Sequence, residues 1–231
     1  MDYDQLIIHA PGFIGHQARA GLVRRAAEHG VPLPRAMLHA REDGSPVPDA
    51  LAPVRFSGNG RVIRVLGIGK TGMEQLYAGA PAMVDALRGT LGTMPQVQYQ
   101  GGRFAASHMD HSVSYRFDAV VARLPRHLAT APREDRLDDL LEFMGERLQD
   151  SLARQFAWLL PDQPVPRVED LRITKSVGVA LKFGKWRTAF WMTGKMPIKL
   201  IGPWQVGSLQ ARGYGRISRV LSGMPVEDSR G

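Results

Sequence analysis

Strand-like and helix-like segments alternate along the chain in two similar rounds. In each round a strand precedes a helix, and further strands follow that helix. The predicted strands cover residues 5–10, 35–40, 53–57, 61–66, 97–106, 112–124, 168–174, 177–183, 186–193 and 198–201, and the predicted helices cover 13–28, 72–91 and 137–160. This order predicts an α+β fold of two consecutive βαββαβ-like halves, one of them irregular.

We expect the two halves to form two domains, residues 1–110 and 111–231. The boundary falls near His108–His111, where His-Met-Asp-His separates two strand-like segments. Histidine and aspartate are metal-ligand types, but no further cluster of ligands completes a site. We therefore interpret this segment as a turn between domains, and predict no metal and no cofactor.

Positive charge is concentrated near the end of the sequence. The whole chain has 30 lysines and arginines against 22 acidic residues. From Leu171 onward there are eleven basic and only two acidic residues, so this last quarter carries +9 and the rest is close to neutral. Such a distribution favours a polyanionic partner.

Several classes of protein are disfavoured by what the sequence lacks. It has no cysteine, which excludes disulfides, thiolate nucleophiles and cysteine-ligated zinc. No apolar run approaches the roughly 20 residues of a membrane-spanning helix. Met1–Gln5 carries two aspartates and no basic residue, unlike the start of a secretory signal. We expect a cytoplasmic protein with no membrane partner.

Residues 194–216 combine a strand with a glycine-rich loop. Glycines allow close approach of a backbone and can turn amide N–H groups toward a phosphate, and arginines bind phosphate oxygens in a bidentate manner. Aromatic residues can stack on unpaired bases. The predicted RNA-binding residues of this stretch are Trp204, Gly207, Arg212, Gly213, Tyr214, Gly215 and Arg216.

The run Gly207–Gly215 resembles the glycine-rich loop of the repeat-associated (RAMP) superfamily of CRISPR proteins, with its basic residue before a Gly-aromatic-Gly ending. The resemblance implies tandem ferredoxin-like (RRM-like) domains followed by this loop. Within the superfamily, the chain is most similar to endoribonucleases that cut precursor CRISPR RNA, including the type IV form. The resemblance implies that the protein cleaves precursor CRISPR RNA within its repeat without a metal ion. It also implies two kinds of partner, the crRNA stem-loop and other CRISPR effector subunits. The alternative is a non-catalytic subunit that caps the crRNA.

In the processing branch, catalytic residues commonly lie near the first helix. Here this helix carries His16, Arg19 and Arg24, on a face that differs from its apolar stripe. We predict His16 as general base or acid, and Arg19 and Arg24 as stabilisers of the phosphate charge. Two alternatives remain open: His16 has no special role, or the site is made of arginines, with Arg41 or Arg212 drawn toward the first helix.

A predicted hairpin around Gly184 carries Lys182, Lys185 and Arg187. These residues are expected to clamp the phosphates of an RNA hairpin or to enter its groove. The alternative is an ordinary solvated hairpin tip.

The segment Gly67–Gly72 fits the pattern G-x-G-x-x-G and includes Gly-Lys-Thr, but it fails as a nucleotide-binding motif. A phosphate-binding P-loop needs glycine at position 64, which is arginine. A dinucleotide-binding fold needs an acid at the end of the next strand, and Asp85 lies inside a predicted helix. Lys70 and free helix amides at this segment remain a candidate contact for an RNA phosphate.

Overall fold

The computed structural model describes residues 1–12, 18–35, 37–39, 51–130, 136–180 and 186–220. Within these ranges the chain forms two four-stranded antiparallel sheets, each accompanied by helices. Among the described helices, none combines the length and apolar character that crossing a lipid bilayer needs.

The first domain is a complete ferredoxin-like unit. Its elements are β1 (Asp2–His9), α1 (Ala18–Glu28), β2 (Val54–Gly58), β3 (Val62–Ile68), α2 (Gly69–Leu91) and β4 (Val97–Arg103). The strand order is β2-β3-β1-β4, with every neighbouring pair antiparallel. This is the arrangement expected of a βαββαβ chain.

The second domain has the same strand order as the first, but one of its helices is replaced by a loop. Its elements are β5 (Ala105–Ala122), the short helix α3 (Arg126–Thr130), α4 (Leu137–Leu159), β6 (Glu169–Ala180), β7 (Trp186–Ile201), a 3-10 helix (Gln210–Arg212) and β8 (Arg216–Arg219). The order β6-β7-β5-β8 matches the first sheet strand for strand. A glycine-rich loop, residues 202–215, stands where the first domain has α2. The predicted tandem ferredoxin-like fold is confirmed.

Helix α4 shows why these segments fold as they do. Its buried residues recur every three or four positions, which places them on one stripe. Asp138 and Asp139 occupy its first turn, where negative charge suits the helix dipole. The apolar residues of the stripe are Leu140, Met144, Leu148, Leu152, Phe156 and Leu159.

The largest core cluster extends across the two domains. Leu66 and Ile68 of β3 belong to the same buried cluster as Phe156 of α4. Trp204 belongs to it as well, with its ring centroid 5.0 Å from that of Phe156 and 5.5 Å from that of Phe104. Burial of so much aromatic surface holds the domains against each other.

Three local predictions were wrong. Residues 35 and 37–39 form turns rather than a strand. Each of β6 and β7 is one long strand where two short ones were expected, because β-bulges let a strand continue through an irregular register. His108–His111 is not a turn but part of β5, at a register shift, and the chain passes from the first sheet to the second at Phe104.

Candidate functional site

The glycine-rich loop is folded tightly against its own backbone. Gly215 has φ +75°, and the backbone N–H of Val206 donates to its carbonyl at 2.8 Å. A Cβ atom at Gly215 would lie 1.7 Å from the carbonyl oxygen of Val206, closer than atoms can approach. Glycine is therefore required here by packing within the protein.

Three glycine amides of this loop donate to acceptors within the protein. The N–H of Gly207 donates to Ser151 Oγ at 2.7 Å. Gly213 donates to the carbonyl of Gln210 at 2.9 Å, and Gly215 to that of Asp118 at 3.0 Å. The prediction that the amides of these three glycines turn toward a phosphate is wrong, since each already has an acceptor. The amides of these three glycines are therefore not available to an anion.

A buried chain of side-chain hydrogen bonds ties the loop to both domains. Arg55 on β2 donates through Nη2 to Gln155 Oε1 at 3.0 Å. Gln155 on α4 donates to Gln210 Oε1 at 3.0 Å, and Gln210 donates to the carbonyl of Gly207 at 3.0 Å. We call these three residues, Arg55, Gln155 and Gln210, the interdomain relay. The relay fixes the loop relative to the first domain.

Arg55 is a buried cation with no carboxylate partner among the described residues. Its side chain is 1% exposed, its Nε donates to Ala52 O at 3.1 Å, and its guanidinium lies 5.4 Å from the Trp158 ring. Burial lowers the pKa of Arg55 to about 9. An unpaired buried charge opposes folding, so its place in the relay points to a positioning role. Sequence analysis missed Arg55 because arginines are normally exposed.

Two arginines converge where α1 meets the loop. Arg19 on α1 is half-buried, and Arg212 ends the 3-10 helix. Burial, and then the neighbouring Arg212 charge, lower the pKa of Arg19 to about 10. In the part of the chain that the structure describes, neither guanidinium pairs with a carboxylate. Two like charges on elements that contact each other make this a candidate site for an anion.

This convergence matches one alternative left open by the sequence, in which Arg212 is drawn toward the first helix. The other arginines named by sequence lie differently. Arg24 is exposed and its Nε lies 3.9 Å from Glu28 on the same helix. Arg216 lies 3.6 Å from Asp118, and its charge adds to burial in lowering the pKa of Arg64. A second pair of like charges, Arg64 and Arg216, thus lies on β3 and β8.

The two aromatic residues of the loop are core residues. Trp204 is 1% exposed and its indole N–H donates to Ile201 O at 2.9 Å. Tyr214 is 6% exposed and packs in a small cluster with Ala119, Val121 and Ala189. Burial raises the pKa of Tyr214. The prediction that Trp204 or Tyr214 stacks on an unpaired base is wrong, because neither ring has a free face.

Other predicted site residues lie outside the described residues: His16, Lys182, Lys185 and Arg41. Arg187 is described, near the start of β7, where it lines a cavity. Their assignment to catalysis or RNA binding stays a prediction.

The G-x-G-x-x-G segment is a packing feature. Gly67 and Ile68 end β3, and α2 begins at Gly69 with no intervening loop. A Cβ atom at Gly67 would lie 2.5 Å from Gly72 O, and one at Gly72 would lie 2.5 Å from Pro53 O, so these glycines allow α2 to pack closely against β3 and against the residue that precedes β2. Lys70 is 90% exposed beside Glu74. Across the described ranges, no three histidine, cysteine, aspartate or glutamate side chains converge as a metal site.

Comparison with known proteins agrees with this architecture. The family model "Type IV CRISPR-associated endonuclease Csf5" matches residues 13–222, most of the chain. The chain therefore belongs to this family. Comparison with curated protein sequences gives no match.

The fold is similar to that of three solved structures. A structure described as Csf5, a type IV Cas6 crRNA endonuclease, has a TM-score of 0.72 at 17% identity, covering 96% of this chain and 100% of that one. A Cas6b structure has a TM-score of 0.60 at 17% identity, and a Cas6b CRISPR RNA processing endoribonuclease 0.55 at 16%; each match covers 95% of this chain and 100% of the other. At these identities the likeness shows the fold.

Proposed function

We propose that this protein is a metal-independent endoribonuclease that cleaves precursor CRISPR RNA within its repeat and remains bound to the crRNA hairpin. Membership of an endonuclease family supports the reaction class, and the related structures include proteins described as crRNA endonucleases. The observation that carries the proposal is the Arg19–Arg212 pair: α1 contacts the 3-10 helix of the loop, each of these elements contributes one arginine, and neither arginine has a carboxylate partner among the described residues.

The reaction we propose needs no cofactor. The 2′-oxygen of one nucleotide attacks the adjacent phosphorus while the bond from phosphorus to the 5′-oxygen breaks. The proton leaves the 2′-hydroxyl and another reaches the 5′-oxygen, giving a 2′,3′-cyclic phosphate and a 5′-hydroxyl. Negative charge builds on the non-bridging oxygens in the transition state. Arg19 and Arg212 would stabilise that charge.

The arginine pair acts electrostatically rather than as a base. With a pKa of about 10, Arg19 stays protonated at neutral pH. Proton transfer needs a different group, and we propose His16, which precedes α1 by two residues. Arg24 lies about one and a half helical turns beyond Arg19 and is exposed, which suits a contact with RNA beside the scissile phosphate.

The RNA would be held by basic side chains around this pair. The loop contributes Arg212 and Arg216, while Gly207, Gly213 and Gly215 shape it rather than bind through their amides. The hairpin residues Lys182, Lys185 and Arg187 would clamp the phosphates of the stem. We also propose that the product complex associates with other CRISPR effector subunits.

The test uses purified protein and end-labelled repeat RNA in excess chelator. We expect a single cut, with mass spectrometry showing a cyclic phosphate on the upstream product and a hydroxyl on the downstream one. RNA with a 2′-deoxy nucleotide at the cut position should bind but stay intact. Tight binding of the normal repeat without any cut would overturn the cleavage proposal and identify the non-catalytic crRNA-capping subunit instead.

A further inference from the structure

A cavity of about 670 Å³ opens at one end of the second domain. It lies between the second sheet and the helices α3 and α4, and the proposed function leaves most of its lining unused. Its walls carry Arg123 after β5, Arg136 before α4 and Arg187 on β7. We call this cavity the arginine cleft.

The charged residues that line the cleft are all arginines in the part of the chain that the structure describes. Three arginines from three different elements line it, and no aspartate or glutamate does so among the described residues. Like charges brought together by folding repel one another, and an anion in the cleft would offset that repulsion. Arg187 already has a further interaction within the protein, so the inference depends on the convergence of charge and not on a free side chain.

Arg136 is held in place within the cleft. Its Nη1 donates to the carbonyl of Leu128 on α3, which fixes the guanidinium group. Its Nε is buried and has no hydrogen-bond partner among the described residues. A buried donor without an acceptor is costly, and a bound anion would supply the acceptor. Arg136 is also half-buried at the start of α4, where the helix dipole disfavours a cation.

The remaining lining indicates which anion would fit. Ser176 and Thr188 add hydroxyl groups, and Phe190 is among the apolar residues that line the cleft. Arginines and hydroxyls recognise phosphate oxygens, and apolar surface suits a ribose or a base. The volume lies within the range of pockets that enclose small organic ligands, which admits about one or two nucleotides.

We propose that the arginine cleft binds a phosphodiester segment of the same RNA, separate from the phosphate held by Arg19 and Arg212. This inference rests on the proposed function. RNA is the favoured source of the phosphate because Arg187, which the sequence assigns to the RNA-binding set, itself lines the cleft, so a polyanion bound by that set can also enter the cleft. A free mononucleotide has the same chemistry and is separated by the experiment.

The experiment measures affinity for uncleavable repeat RNA, blocked by a 2′-deoxy nucleotide, over a series of salt concentrations. The variant is Arg123→Ala/Arg136→Ala, which leaves the hairpin residue Arg187 intact, and the matched control is Arg88→Ala/Arg154→Ala, two exposed arginines outside the cleft. We expect the cleft variant to bind about 5- to 20-fold more weakly, with a salt slope shallower by about 1.4 to 1.8. The control should match the unaltered protein.

Equal affinities and slopes for the two double variants would overturn the proposal. If the alanine variant unfolds, Arg123→Lys/Arg136→Lys takes its place: this variant keeps the charge and should retain the salt slope while losing part of the affinity. Adenosine 5′-monophosphate is the second probe. Adenosine 5′-monophosphate could raise the melting temperature of the unaltered protein and not that of the cleft variant, while both proteins bind RNA equally well. In that case the cleft binds mononucleotides and the RNA proposal fails. Failure of the unaltered protein to bind repeat RNA would instead refute the proposed function.

Discussion

The two ferredoxin-like domains share a strand order and differ in the segment that comes after the third strand of the βαββαβ pattern. In the first domain, β3 passes directly into the 23-residue helix α2, which buries Leu76, Met83 and Leu87. In the second domain, β7 passes into the glycine-rich loop, whose 3-10 helix covers only Gln210–Arg212. The same position in the same fold is thus filled by a regular helix in one case and by an irregular loop in the other.

This difference determines how each segment is held. An α-helix satisfies most of its own backbone groups. The loop instead depends on groups from elsewhere: Ser151 and Gln155 on α4, and through Gln155 on Arg55 of the first domain. The Arg19–Arg212 pair likewise takes one residue from each domain. The candidate site is therefore assembled only when the two domains are packed together.

The largest effect is expected from Gly215→Ala, compared with Gly92→Ala at the end of α2. Both glycines have positive φ, +75° and +67°. Only Gly215 also meets a backbone oxygen at its absent Cβ; nothing lies within 4 Å at Gly92. We expect Gly92→Ala to lower the free energy of unfolding by about 1 kcal/mol, and Gly215→Ala by about 3–5 kcal/mol because a steric clash adds to the strain. Chemical denaturation measures both, and equal losses would contradict the tight loop fold.

An intermediate effect is expected from Gln155→Ala, compared with Gln149→Ala on the same helix. Gln155 is buried in the interdomain relay, whereas half-buried Gln149 donates to Pro166 O at 3.0 Å, away from the loop. We expect Gln155→Ala to cost about 2–3 kcal/mol, since a buried charged donor loses its acceptor, and Gln149→Ala about 1 kcal/mol. Chemical denaturation again measures both losses.

RNA cleavage separates a positioning role of the relay from a purely structural one. At a temperature where both variants are fully folded, Gln155→Ala should lower the cleavage rate while Gln149→Ala leaves it unchanged. Arg55→Lys should not restore the rate, because an ammonium group cannot make both hydrogen bonds of the guanidinium. Equal cleavage rates for the two glutamine variants would show that the relay contributes stability alone.

The smallest effect is expected from Lys70→Ala, in the G-x-G-x-x-G segment of the first domain. The side chain is 90% exposed, and its only ion-pair partner among the described residues is Glu74 at 4.0 Å. Loss of such a surface pair should change the free energy of unfolding by less than about 0.5 kcal/mol. RNA affinity should also stay the same. A large loss of affinity would show that this segment binds phosphate after all.

The sequence predicts the fold well where periodicity is strong. Helix α4 is observed at Leu137–Leu159 against a predicted 137–160, because its apolar stripe runs unbroken through the whole helix. The predictions fail where the pattern is irregular. β-Bulges in β5 and β6 shift the alternation of side chains, and His108–His111 therefore lacks the regular pattern of a strand.

The site was less predictable than the fold. The glycine-rich pattern at residues 207–215 identified the loop, but Trp204 and Tyr214 were expected at the surface because aromatic residues in basic loops often stack on bases. Their burial results from tertiary packing, which local sequence does not reveal. The interdomain relay was not predicted for the same reason. Arg55, Gln155 and Gln210 are far apart in sequence, and no local pattern links them.

The central claim is that the loop of the second domain completes a site with α1 of the first. A double-mutant cycle on Arg19→Ala and Arg212→Ala tests it most directly, with single-turnover cleavage of repeat RNA as the readout and Arg88→Ala as control. We predict that each single variant cleaves about 10²-fold more slowly. The loss of rate in the double variant should be much smaller than the product of the two single-variant losses, since both residues act on one phosphate. Rates for Arg19→Ala and Arg212→Ala that match the control would contradict the account.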